Sequence, residues 1–168
     1  MKINFYYVDR EYVEYLKNYE IKHRGFTCVP NIQYANRDKF VCGIVLEIEN
    51  IQYYVPVSSK IKDKQNDMLI YDKKHQAKGS LRFSFMIPVR KCCLNELIID
   101  DITDENRKIL TSKELAFCRR NRDKIIKKAN LTYQRVVSQV SDDVVKNSCD
   151  FKLLEKAYRE YCETFGIE

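Results

Sequence analysis

A chain of 168 residues, 45% of them hydrophobic, is long enough for one domain with a sizeable core and too apolar for a disordered tail. Its 30 basic residues exceed its 24 acidic ones, a formal charge of +6 that favours anionic partners such as nucleic acid or a membrane face. Seven cysteines without any C-x-x-C spacing speak against a zinc ribbon or a thioredoxin motif and for free, mostly buried thiols in a reducing cytoplasm, and no apolar run is long enough to span a membrane.

The first residues run straight into an apolar strand, Asn4 to Val8, so no secretory leader is expected. Asp9 is then a helix cap. Tyr12, Tyr15, Leu16 and Tyr19 follow at i, i+3, i+4, i+7 and form an apolar helix face. Glu20 to Lys39 reads as a polar, irregular segment, and long loops in compact domains are often functional. Phe40 to Ile48 and Ile51 to Val57 are β-branched runs around Glu49-Asn50, an antiparallel hairpin. Met68 to Tyr71 and Leu81 to Ile87 are two further strands, joined by a basic loop from Asp72 to Gly79. Pro88 suits a strand end. Leu94 to Ile99 is a short strand or a turn of helix.

From Thr103 the period becomes helical. Thr103 or Asp104 caps a helix running to about Ala129, a second helix covers Tyr133 to Val145, and Asp150 caps a third with Phe151, Leu154, Tyr158 and Tyr161 on its apolar face. Strands first and helices second predict a single α+β domain over residues 1–168. Its core is a compact, strongly curved antiparallel sheet, with helices concentrated in the C-terminal half.

The charge is unevenly spread. Residues 107–135 hold ten basic residues against two acidic ones, whereas residues 136–168 hold four against seven. A solvated helix usually mixes signs through i, i+4 pairs; a one-sided helix repels itself unless an anion lies against it. Contacts to backbone phosphates would add salt dependence more than sequence choice. Some of the twelve tyrosines and eight phenylalanines could stack on unpaired bases, although most aromatics serve a core.

Catalytic sets can be tested by subtraction. His23 and His75 have no metal-ligand spacing, there is no G-x-S-x-G and no Walker loop, and Asp100-Asp101 and Asp142-Asp143 are adjacent pairs whose side chains point apart. What remains is Ser58, Ser59, Lys60, Lys62 and Lys64 at a strand end. Two hydroxyls can hold a phosphate and a lysine can neutralise charge growing on a phosphorane, while RNA brings its own nucleophile, the 2′-OH. By itself Ser-Ser-Lys is a weak motif that a solvated loop cap explains better.

Phe40-Val-Cys-Gly-Ile-Val-Leu-Glu-Ile48, Tyr54-Val-Pro-Val-Ser-Ser59 and Phe85-Met-Ile-Pro-Val89 form an ordered set. Leu115 to Ile125 and Cys149 to Arg159 complete it, and together they resemble the toxins of type III toxin–antitoxin systems, the ToxN/AbiQ-like family. The resemblance spans nearly the whole chain. It implies a metal-independent endoribonuclease without cofactors, leaving a 2′,3′-cyclic phosphate and a 5′-hydroxyl, often in adenine-rich RNA. It also implies that the partner is a small structured antitoxin RNA, cut from a repeat precursor into units that form closed assemblies with the toxin, in growth arrest or phage defence. No membrane and no protein antitoxin are implied. The family's hydroxyl pair falls on Ser58 and Ser59, its following lysine on Lys60 or Lys62, and its upstream tyrosine and lysine on Tyr34 and Lys39. RNA contacts are expected from Lys39, Arg82, Lys113, Phe117, Arg119, Arg120 and Lys124. The rival readings are a non-catalytic RNA- or DNA-binding regulator, which leaves Ser-Ser-Lys without a role, and a toxin inhibited by a protein partner.

Overall fold

The computed structural model describes residues 2–34 and 37–166, the side chains of Gln33, Tyr34 and Arg37 excepted. Strand β1 (Asn4–Val8) leads into helix α1 (Arg10–Arg24). Asp9 precedes the helix but its carboxylate makes no capping bond. It accepts instead from Asn95 Nδ2 at 3.2 Å. The helix also outlasts the expected boundary at Glu20. It stops at Gly25, whose φ of +82° is a left-handed conformation that glycine adopts without strain. The following segment contains a small ladder, β2 (Gln33–Tyr34) with β3 (Arg37–Asp38).

β4 (Val41–Ile48) and β5 (Ile51–Ser58) form the expected hairpin. Glu49 and Asn50 between them both have positive φ, the pattern of a type I′ turn, whose twist matches that of paired strands. β4 lies centrally, paired with β1 on one side and β5 on the other. That placement explains its nearly continuous apolar run, since both its faces are covered. Its register against β5 shifts between Cys42 and Leu46, a bulge of the kind that bends a strand.

β6 (Asp67–Tyr71) and β7 (Ala77–Arg82) pair antiparallel. The expected basic loop from Asp72 to Gly79 is therefore shorter. Asp72 Oδ1 accepts from the amides of Lys74 and Gln76, closing a tight turn, and the chain is extended again from Ala77. The strand expected from Leu81 to Ile87 is interrupted by a 3-10 turn at Phe83–Phe85, before β8 (Ile87–Pro88) and β9 (Leu94–Glu96). Among the described residues the main sheet runs β6-β7-β5-β4-β1-β9, with β8 also on β5; it is antiparallel and does not close. β5 forks at its outer edge: Tyr53 and Tyr54 pair with β8, Val57 and Ser58 with β7.

The C-terminal half is helical, as expected, but divided differently. Asp104 caps α2 (Glu105–Arg120), accepting from the Arg107 amide at 3.0 Å. The helix does not run on to Ala129. It breaks at Asn121, whose amide group donates to the Phe117 carbonyl at 2.9 Å, offering the backbone a local alternative to the helix. α3 (Arg122–Val137) takes in Tyr133, so the helix expected from Tyr133 to Val145 is two pieces: the end of α3 and the short α4 (Asp142–Lys146), capped by Ser141. Asp150 caps α5 (Phe151–Thr164), accepting from Leu153 N at 3.1 Å. The tyrosine face of α1 meets α5 at Tyr161, and Tyr53 packs edge-on against Tyr133 and Phe151, joining sheet, α3 and α5 in one core. All seven cysteines are free, and five are buried. Among the described residues no helix is long and apolar enough to cross a membrane.

Candidate active site

A cavity of about 620 Å³ opens where β5 ends. Four separate stretches build it: the segment from Thr27 to Ile32 with Lys39, the end of β5 at Ser58, the Lys64-to-Asp67 approach to β6 with Arg82, and Asp143 to Ser148. The long segment after α1 is thus a wall of this cavity. Fully buried Glu20 holds it in place. Its Oε1 accepts from Thr27 Oγ1 (2.9 Å) and the Cys28 amide (2.6 Å), and its Oε2 accepts from the Asp150 amide (3.0 Å). Arg24 pairs with Glu20 at 3.1 Å and donates to the carbonyls of Ser148 and Val145. One ion pair on α1 therefore fixes two of the four stretches.

Ser58 is the last residue of β5, half-buried and paired with Ser80 of β7. Its Oγ accepts from the Lys60 amide at 3.1 Å, and Ser80 Oγ donates to the Lys60 carbonyl at 2.7 Å, so the turn beyond the strand is fastened at both its groups. Gly79 lies directly behind it. A Cβ there would stand 2.7 Å from the Ser58 carbonyl oxygen and 3.1 Å from Glu114 Oε2. Burial pushes the Glu114 carboxyl up to about 7. Burial, followed by the nearby Glu20 charge, also raises the Cys28 thiol on the cavity wall, which disfavours it as a nucleophile.

The expected site residues divide. Ser58, Lys39 and Arg82 line the cavity together with Lys64. Ser59, Lys60 and Lys62 are exposed on the turn beyond Ser58 and do not line it. The Tyr34 side chain lies outside the described residues; its backbone is in β2. Arg82 faces Asp67 Oδ1 at 3.6 Å and lies over the Phe85 ring at 4.5 Å. On α2, Lys113 and Arg120 are exposed, Phe117 is half-buried against Tyr71, and Arg119 is tied to the Ile3 carbonyl (2.9 Å) and Asn4 Oδ1 (2.6 Å). Lys124 of α3 is exposed.

Both basic helices also touch the cavity's surroundings: Arg107 donates to the Asp38 carbonyl at 3.3 Å, and Arg135 to Asn66 Oδ1 at 3.3 Å. Sequence reasoning missed Asn66, Asp67 and Ser148. Asp67 and Ser148 reach the cavity only because β6 folds against β7 and the α4–α5 turn against α1, pairings that no local pattern announces. Among the described residues no three His, Cys, Asp or Glu side chains come together as a metal-holding group.

The sequence model of a family described as "Toxin ToxN, type III toxin-antitoxin system" matches residues 4–159. The endoribonuclease ToxN of Pectobacterium atrosepticum is 32% identical, over 95% of this chain and 94% of that protein. One solved structure, of a type III system in which a non-coding RNA pseudoknot selectively inhibits the toxin, superposes with a TM-score of 0.84 at 25% identity, covering 97% of this chain and 99% of that one. Another, the lactococcal anti-phage endoribonuclease AbiQ, superposes at 0.83 with the same identity and coverage.

Proposed function

Because the chain belongs to the ToxN family of type III toxin–antitoxin toxins, we propose that it is an endoribonuclease that cuts single-stranded RNA through the RNA's own 2′-hydroxyl. The observation that carries this reading is the convergence of Lys39, Ser58, Lys64 and Arg82, from distant parts of the chain, on one cavity at the end of β5. A phosphate seated at this mouth meets a hydroxyl and cationic side chains, the set that an in-line displacement at phosphorus requires.

In the proposed reaction the 2′-oxygen attacks the neighbouring phosphorus, losing its proton to a base on the protein. The bond from phosphorus to the 5′ oxygen breaks, and that oxygen takes up a proton. The products are a 2′,3′-cyclic phosphate and a 5′-hydroxyl. Ser58 and Ser59 hold the scissile phosphate, and Lys60 or Lys62 stabilises the phosphorane. Tyr34 positions the RNA, and Lys39 and Arg82 hold flanking phosphates. No metal ion or other cofactor takes part. The same site cuts and then retains a small structured antitoxin RNA in a closed protein–RNA assembly. Release of that RNA lets the toxin arrest its host in the cytoplasm as a defence against phage.

The test is incubation of the purified chain with adenine-rich RNA in EDTA, followed by identification of the ends. Cyclic phosphate and 5′-hydroxyl ends are expected, and Ser59→Ala is expected to abolish cutting while RNA binding survives. RNA that is bound but stays intact, with Mg²⁺ as well, would instead make the chain a binding regulator. Full activity of Ser59→Ala would remove that residue from the site.

A further inference from the structure

The thiols of this chain differ sharply in exposure. Cys42, Cys118 and Cys149 are sealed in the core at 0%, whereas Cys92 is exposed and its neighbour Cys93 is 3% exposed. The sulfurs of Cys92 and Cys93 lie 4.0 Å apart and share a hydrogen bond. Side chains of adjacent residues usually diverge, on a strand to opposite faces. Here a 3-10 turn over Lys91–Cys93 brings the two sulfurs together. Neither cysteine lines the cavity at the end of β5.

The backbone of the pair is held on both sides. The Cys93 amide donates to the Arg90 carbonyl at 2.9 Å, and the Cys93 carbonyl accepts from the Asp9 amide at 2.9 Å, at the junction of β1 and α1. The nearby third thiol, Cys162, is 8% exposed and is contacted by Arg90 Nη1 at 3.9 Å. A disulfide between Cys92 and Cys93 is disfavoured. The Cα atoms of adjacent residues stand about 3.8 Å apart, below the range of about 4.4–6.8 Å that a disulfide spans. A large soft atom bridging the two sulfurs enlarges the ring that must close, and thiols are the ligands that soft centres prefer.

We propose that Cys92 and Cys93 form a two-thiol site that captures a trivalent arsenical. This goes beyond the endoribonuclease reading and does not depend on it. Cys92, the exposed partner, bonds first: its sulfur attacks arsenic and its proton passes to the arsenic-bound oxygen. Burial, followed by the neighbouring Cys92, pushes the Cys93 thiol up to about 12. Cys93 is therefore the poorer nucleophile and bonds second, within the same molecule. For an arsenoxide, two S–H bonds and the bond from arsenic to oxygen are lost, two As–S bonds form, and the oxygen leaves as water. Arsenic stays trivalent throughout, so the step needs no oxidant or reductant. Two sulfurs on one short turn give the second bond a high effective concentration, a gain of about 10²- to 10⁴-fold over a single thiol.

The experiment incubates the reduced full-length chain with phenylarsine oxide, challenges it with an excess of a monothiol and measures the intact mass under native conditions. One arsenical per chain is expected, bound with loss of one water, resistant to the monothiol and removed by a small dithiol. Cys92→Ser is expected to weaken binding about a hundredfold or more with an unchanged Tm, because that side chain is exposed. Cys28→Ser, which removes the other thiol outside the core, is expected to bind like wild type. Cys93→Ser is expected to lose the adduct as well; if that buried change prevents folding, Cys92→Ser carries the test alone. A wild-type chain whose adduct the monothiol strips, or that forms none, overturns the site. So does a Cys92→Ser chain that binds the arsenical as tightly as wild type. RNA scission is read separately, and its absence would overturn the endoribonuclease reading while leaving the thiol site intact.

Discussion

Ser80 donates its hydroxyl proton to the carbonyl oxygen of Lys60 at 2.7 Å, and that bond ties the turn after β5 to the neighbouring strand β7. Ser80 is itself fully buried and paired in register with Ser58. The position of the proposed phosphate-holding hydroxyls is therefore set by a residue twenty-two places further on.

The tightness of that junction is testable at Gly79. A methyl group there meets the Ser58 carbonyl oxygen at 2.7 Å, a backbone atom that cannot swing away. Gly79→Ala is expected to destabilise the fold by about 1–3 kcal/mol, the range for overpacking, and to lower RNA cleavage more than RNA binding. Thermal denaturation and single-turnover cleavage check the two parts.

Glu114 gives a pH dependence of defined sign. Its folded carboxyl is raised to about 7 by burial, whereas an unfolded glutamate titrates near ~4.3. The folded state therefore holds the proton more tightly. The stability this contributes is fully present below the unfolded value and is lost as pH rises towards and through about 7. The loss is on the order of 3 kcal/mol by pH 8. Glu114→Gln should remove this slope and leave a variant more stable than wild type at pH 8. Denaturant melts from pH 4 to 8 measure it, and parallel slopes for the two proteins would show that Glu114 does not titrate in this range.

The two neighbouring arginines on α2 should separate. Arg119 is bound to Ile3 and Asn4, so Arg119→Ala should lower stability by about 1–2 kcal/mol with a modest effect on RNA affinity. Arg120 and Lys124 are exposed. Arg120→Glu and Lys124→Glu should leave Tm unchanged, weaken RNA binding and flatten its salt dependence by roughly one unit of slope per lost phosphate contact. Binding titrations at several salt concentrations decide. An unchanged slope in both variants would exclude these residues from the RNA interface.

Glu20 is a structural test of the cavity wall. Removing its carboxylate strips three hydrogen-bond donors of their acceptor and leaves Arg24 without its partner. Glu20→Ala is expected to cost about 3–5 kcal/mol and to reduce cleavage in whatever fraction remains folded. Tm and the activity of the soluble fraction report both.

Local patterns in the sequence determined much of this molecule. The hairpin around Glu49-Asn50, the strand Asn4–Val8, the tyrosine face of α1 and the caps Asp104 and Asp150 were readable because each depends on neighbours within a few residues. The ordered resemblance pointed to Ser58 and Lys39 as candidate site residues, and both line the cavity. Boundaries set by competition were not. Asn121 breaks a charged helix without glycine or proline, and the 3-10 turn at Phe83–Phe85 interrupts an apolar run that looks like one strand.

Tertiary structure alone decided what surrounds Ser58. The basic run from Arg107 to Arg135 is uniform in composition. Yet Arg119 is held by the N-terminal strand, Arg107 and Arg135 reach towards the cavity, and Arg120 and Lys124 remain exposed. Asp67 and Ser148 carry no motif. They share a cavity because pairing of β6 with β7 and anchoring of the α4–α5 turn by Glu20 and Arg24 bring them there. Secondary structure follows from interactions a few residues apart, which a linear pattern records. The inner wall of a cavity is made by contacts between residues as far apart as 130 positions, which it does not.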